Sequence, residues 1–212
     1  MTLTGLGERV HLAHPDIDLD VHVQDVVHAI EYEDLADVIL VGWSHGAMVV
    51  TAAAHRIPER LRRTVVMDTF LVPEDGQSAY DIAPSFRHED EPLLLAGNGW
   101  QIPPPPASAL EASIPDADRR ASYVRRMTPM PVKVQRQPAR LGHPLADALP
   151  RTLVRCTQMA SWSDNPLHVE FVERITADPR WDIVDLDGRH MAPFAQPNVT
   201  AEVLHQLVVR DA

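Results

Sequence analysis

Four short apolar runs punctuate the chain, and between them apolar positions recur at helical spacing. Val38-Ile39-Leu40-Val41 stands unbroken between Asp37 and Gly42, the pattern of a strand buried on both faces of a parallel sheet. Thr64 to Met67 and Thr152 to Cys156 read as two more strands, and Trp181 to Leu186 as a fourth that alternates less cleanly. Val23, Val26, Val27 and Ile30 predict a helix over Leu19 to Glu31, with Asp16, Asp18 and Asp20 at the end where helices favour acids. An Ala-rich helix is expected from His45 to Arg56, stopped by Pro58. Two more are expected at Leu167 to Ala177 and Val199 to Val209. Strands alternating with helices predict an α/β protein built on a doubly wound, mostly parallel sheet.

That rhythm fails between about residues 77 and 150. This stretch holds the run Pro103-Pro104-Pro105-Pro106, which fits neither a helix interior nor an inner strand, and helical patterns at Glu89 to Ala96 and Asp116 to Met127. Leucines and aromatics persist through it, which favours a folded helical cap over a disordered linker. The expectation is a single domain over residues 1–212, with its core in 1–76 and 151–212 and the cap inserted at about 77–150.

Composition narrows the classes. With 212 residues, 45% of them hydrophobic and 23% charged, the chain is long enough for one sizeable core. Thirty acidic against nineteen basic side chains give a formal net charge of −11, a poor match for nucleic acid or for an anionic membrane surface. One cysteine, Cys156, excludes an intrachain disulfide and a Cys-based zinc site; it reads as a small buried apolar residue. No apolar run approaches the length of a membrane span and Met1 to Val10 lacks a secretory pattern, so the expected location is the cytoplasm. His11, His14, His22 and His28 lack metal-binding spacing and are expected on a solvated face. Asp16-x-Asp18-x-Asp20 fails as a calcium loop, having Val21 and Val27 where Gly and Glu belong. Neither metal nor cofactor is expected.

Gly42-Trp43-Ser44-His45-Gly46 fits G-x-S-x-G, the sharp strand-to-helix turn that lifts a nucleophilic serine above a sheet. The required strand precedes it and a helix follows. A serine hydroxyl needs a base, and with such an elbow the order along the chain is Ser, acid, His. His45 and His55 lie in or just after the elbow helix and cannot reach over Ser44. His190, after the last strand, is the expected base. The loop after the third strand carries one carboxylate, Asp164, which is expected to orient His190; its bland reading is a helix N-cap. Asp68, after the second strand, is the reserve acid. The backbone N–H of His45 is the expected oxyanion donor.

Several strings together extend the picture. Thr2-Leu3-Thr4-Gly5-Leu6-Gly7-Glu8-Arg9, Asp16-Ile17-Asp18-Leu19-Asp20, the elbow, and Val72-Pro73-Glu74-Asp75-Gly76-Gln77-Ser78 resemble bacterial α/β-hydrolase esterases akin to plant methylesterases and hydroxynitrile lyases. Arg126-Met127-Thr128-Pro129, Arg155-Cys156-Thr157 and His190-Met191-Ala192 carry the match over nearly the whole chain. The resemblance implies serine-dependent hydrolysis of a small-molecule ester without a cofactor, with Ser44 matching the nucleophile and His190 the base.

The departures shape further expectations. Trp43, His45 and Ala47 replace residues usual in such elbows, and their side chains are expected to line the substrate pocket. At the spacing usual for the acid stands Trp162, with Asp164 two residues later. In relatives the Thr2 to Arg9 string follows several strands and a loop donating a second oxyanion N–H, so strand 38–41 is expected to have an open apolar edge. The favoured reading makes Met1 an internal methionine of a longer protein; a fragment with impaired chemistry and a homodimer paired edge to edge are the others. A binding protein or pseudoenzyme on the same fold is the alternative function. A lyase ranks lower, because Met191 rather than a lysine follows His190.

Overall fold

The computed structural model describes residues 1–159 and 164–210. Among them are the strands β1 (Val38–Trp43), β2 (Leu61–Met67), the two-residue β3 (Gln101–Ile102) and β4 (Met130–Pro131), β5 (Arg151–Cys156) and β6 (Trp181–Leu186). The main sheet is parallel throughout in the order β1-β2-β5-β6, and β3 with β4 forms a small antiparallel pair. All four strands expected from the sequence are present.

β2 and β5 lie inside the sheet, and their apolar residues are buried on both faces. β1 differs from expectation. Among the described residues it pairs only with β2, so Ile39 and Leu40 are half-buried and Val41 is 39% exposed. The open edge foreseen from the sequence is therefore present among the described residues, and the continuous apolar run marks an edge strand rather than one enclosed on both sides.

The helices follow the periodicity closely. α1 (Leu19–Tyr32) starts at the cap Asp18, whose side chain accepts from the Val21 N–H, and buries Leu19, Val23, Val26 and Ile30. α2 (Gly46–Ala54) follows the elbow and is buried along nearly its whole length. Between β2 and β5 stand α3 (Ala79–Ile82), α4 (Pro84–Ala96), α5 (Ala117–Val124), α6 (Lys133–Arg136) and α7 (Pro144–Ala148). α4 begins with Pro84 at its first position, where the missing N–H costs nothing. α8 (Pro166–Thr176), α9 (Ala192–Ala195) and α10 (Pro197–Arg210) complete the chain. One face of the sheet, with Val66 and Leu153, packs against α1, α2 and α8; the other, with Val65, Met67, Val154 and Leu186, packs against Leu207 of α10.

The N-terminal string is tied down by polar contacts. Thr4 donates through its N–H and hydroxyl to Asp25, Arg9 reaches the same carboxylate at 3.1 Å, and the His22 ring bonds the Thr4 carbonyl at 3.0 Å. His22 is thus 1% exposed, not on a solvated face. The Gly7 N–H donates to Thr128, and Lys133 pairs with Asp16, so the segment after β2 is fastened to the N-terminal part. No group of three or more His, Cys, Asp or Glu among the described residues could hold a metal, and no described helix is long and apolar enough to cross a membrane.

Candidate active site

The sheet register brings the site together. Trp43 pairs with Met67, so the next residues, Ser44 and Asp68, leave β1 and β2 side by side. Met67 pairs with Val154 and Cys156 with Leu186, which carries the same level across to the loop after β6. Both Ser44 (φ 54) and Asp68 (φ 47) take left-handed backbone, unusual for residues with a Cβ and characteristic of strained functional turns. Ser44 is held by its N–H to the Met67 carbonyl at 3.0 Å. Gly42 makes the turn sterically possible: a Cβ there would stand 2.5 Å from the Gly46 carbonyl oxygen. Gly46 has open space around its own missing Cβ, so the two glycines of the motif serve different ends.

His190 lies between Ser44 and Asp68. Its Nδ1–H donates to Asp68 Oδ2 at 2.8 Å, and its Nε2 accepts from Ser44 Oγ at 3.1 Å. Asp68 fixes this tautomer, because a carboxylate can only accept. The Asp68 side chain is 3% exposed against 32% for His190. Its second oxygen, Oδ1, accepts from the Cys156 N–H at 3.0 Å, so the buried carboxylate is held from two sides.

The expectation for Asp164 is therefore corrected: the carboxylate on His190 is Asp68, the reserve candidate. Asp164 is exposed, just before the Asn165 cap of α8. The loops after β2 and β5 both lie between the elbow and the loop after β6, and contact distinguishes them: Asp68 takes the single Nδ1–H of His190 from a buried position, whereas Asp164 is exposed. Part of the loop expected to carry the acid, residues 160–163, lies outside the described residues.

The remaining candidates fall into place around this chain. The His45 N–H stands at the start of α2, and no described residue accepts from it. The His45 ring is sealed off: neither nitrogen has a partner among the described residues, and burial with His22 nearby pushes its pKa down to about 4. Trp43, expected to line the pocket, packs its indole on His190 with ring centroids 5.0 Å apart. Cys156 is buried, and burial together with Asp68 raises its thiol pKa. His168 on α8, which the sequence did not single out, packs edge-on to Phe70 at 4.4 Å; burial lowers its pKa and Asp68 opposes that shift. Two cavities of about 810 and 420 Å³ lie elsewhere, lined by none of Ser44, Asp68 or His190.

A serine, a histidine and a buried carboxylate in hydrogen-bonded series form the arrangement that activates a hydroxyl for attack. Residues 1–203 match the model of the alpha/beta hydrolase family. The chain belongs to that family. A carbendazim hydrolyzing esterase of Nocardioides sp. (strain SG-4G) is 31% identical, over 97% of this chain and 86% of its own length. Family and relative together make this α/β-hydrolase an enzyme of the carboxylesterase type. Among solved structures, an extracellular α/β-hydrolase from a Paenibacillus species superposes with a TM-score of 0.74 at 21% identity, covering 97% of this chain and 85% of that one. A methylesterase from Arabidopsis gives 0.71 at 17% identity, covering 99% and 84%. At these identities the structures bear on the fold alone.

Proposed function

We propose that this α/β-hydrolase cleaves a small-molecule carboxylic ester through an acyl-enzyme formed on Ser44. The observation that carries the reading is the unbroken series Ser44 Oγ, His190, Asp68, with distances of 3.1 and 2.8 Å. His190 Nε2 takes the hydroxyl proton as Oγ attacks the ester carbonyl. Asp68 stabilises the imidazolium that forms and keeps the ring in register. The proton then passes to the leaving alcohol, and water, activated by the same nitrogen, releases the acid. The His45 N–H, at the positive end of α2, is the proposed donor to the oxyanion. No step calls for a metal or cofactor. The esterase name of the 31% identical relative supports the same class, and carbendazim is a substrate to test.

Turnover of a short-chain aryl ester by the purified chain, compared with Ser44→Ala, tests the proposal. The expected result is loss of activity by about 10³-fold or more in the variant. Equal turnover by the two proteins would overturn it. Tight ligand binding without turnover would favour the binding-protein alternative.

A further inference from the structure

Trp43 occupies an unexpected place. It immediately precedes Ser44, yet its indole turns toward the loop that carries the base. The Nε1–H donates to the His190 backbone carbonyl at 2.8 Å. Among the described residues no other donor reaches that carbonyl. The indole also lies on the imidazole, with centroids 5.0 Å apart and planes tilted by 33°. One side chain therefore fixes His190 at two points, main chain and ring.

Trp43 is itself braced. It packs on the buried cluster of Val65, Met67, Leu186 and Ala192. Phe194 of α9 meets it edge-on at 5.7 Å, and Tyr123 of α5 lies 4.3 Å from Phe194. Arg119, also on α5, donates to the Phe194 carbonyl at 3.3 Å. An aromatic series thus runs from the inserted segment, through α9, to the base.

The rest of the His190 loop needs such an anchor. Gln158 N–H holds the Gly188 carbonyl at 2.9 Å and Ala192 N–H holds the Arg189 carbonyl at 2.8 Å, but these bonds flank His190 rather than grip it. A misplacement of about 1 Å in a reacting group can cost on the order of 10²-fold in rate.

We propose that Trp43 is a positioning residue for His190, braced by Phe194 and by Tyr123 of the inserted segment, so that docking of that segment sets the geometry of the base. The assignment rests on the serine mechanism above, and it deepens that mechanism by tying the insertion to the base rather than to the pocket wall alone. A pocket-lining residue acts on substrate affinity. A positioning residue acts on the chemical step.

The test separates these. Trp43→Phe keeps a ring and removes the N–H; Trp43→Leu removes both; Phe194→Leu removes only the brace. For each, kcat and KM on an aryl acetate are measured with the rate of fluorophosphonate labelling at Ser44. The far-downfield proton signal of the His190–Asp68 bond reports ring placement directly. Trp43→Phe is expected to lose about tenfold in kcat and in labelling rate, with KM changed by less than about twofold. Trp43→Leu is expected to lose more and Phe194→Leu less, and the downfield signal should shift or broaden in all three. Should Trp43→Leu fail to fold, Trp43→Phe and Phe194→Leu still decide the matter. A Trp43→Phe protein with unchanged kcat, labelling rate and proton signal would overturn the proposal, as would a rise in KM alone. A wild-type chain that resists labelling at Ser44 would instead overturn the serine mechanism, and the inference with it.

Discussion

Two histidines adjoin Ser44, one across a hydrogen bond and one along the chain, and their surroundings make them opposites. His190 is one-third exposed, with both ring nitrogens engaged by Asp68 and Ser44. His45 has both ring nitrogens buried and without a partner among the described residues, beside His22. In the first region polar groups are satisfied in series, along the path that the proposed mechanism gives the proton. In the second, burial suppresses the charged form and holds the ring neutral. The same residue type becomes a proposed base in one place and an inert filler in the other, and the difference lies in partners rather than in distance from the nucleophile.

Removing the partner should erase the contrast on the His190 side. Asp68→Asn is expected to lower kcat by about 10³–10⁴-fold, because the amide no longer holds the productive tautomer. Asp164→Asn should stay within about threefold, as expected for an exposed residue off this path. Steady-state kinetics on one ester check both, and a reversed order would restore Asp164 as the acid.

The elbow offers a second pair of changes, read by thermal or denaturant unfolding. Gly42→Ala forces a Cβ to 2.5 Å from the Gly46 carbonyl and should destabilise by about 3 kcal/mol or more. Gly46→Ala meets open space at the first position of α2 and should stabilise slightly, by about 0.5 kcal/mol. Equal effects would mean that the crowding at Gly42 is misplaced.

On the His45 side the contrast is sharpened by pH. The ordinary imidazole value is 6.5 and the folded value is about 4. The unfolded chain therefore binds this proton first as pH falls. The associated stability is complete above pH 6.5 and is lost between about 6.5 and 4, on the order of 3 kcal/mol. His45→Phe should flatten this acid limb and, by removing two unsatisfied nitrogens, add about 1 kcal/mol near neutral pH. His22, His55 and His168, also shifted down by burial, keep part of the slope. An unchanged acid limb would contradict the buried, neutral state of His45.

Much of this was legible in the sequence, for reasons that differ by element. The four parallel strands and α1, α2, α8 and α10 follow from the apolar pattern alone, because short unbroken apolar runs and helical repeats mark what the core buries. The elbow was legible because its two glycines and its strand–helix setting are local. The acid was not. Asp68 and Asp164 both satisfy the chain order and both follow strands between β1 and β6, and only the folded contact of buried Asp68 with the His190 ring chooses between them. The contact Trp43 makes is not legible for a related reason: its position in the motif indicates nearness to Ser44, whereas the packing of its indole on His190 depends on a residue far away in the chain. His22 looked like one of several surface histidines until the fold of the N-terminal string onto α1 buried it.

The central claim is that Asp68, His190 and Ser44 work as one unit. The most direct test compares the fluorophosphonate labelling rate of Ser44, by intact mass, in the wild type, Asp68→Asn and Asp164→Asn. The account predicts a single adduct on wild-type Ser44, a rate near wild type for Asp164→Asn, and a rate lower by about 10³-fold for Asp68→Asn. Labelling that ignores Asp68, or that depends on Asp164 instead, would contradict it.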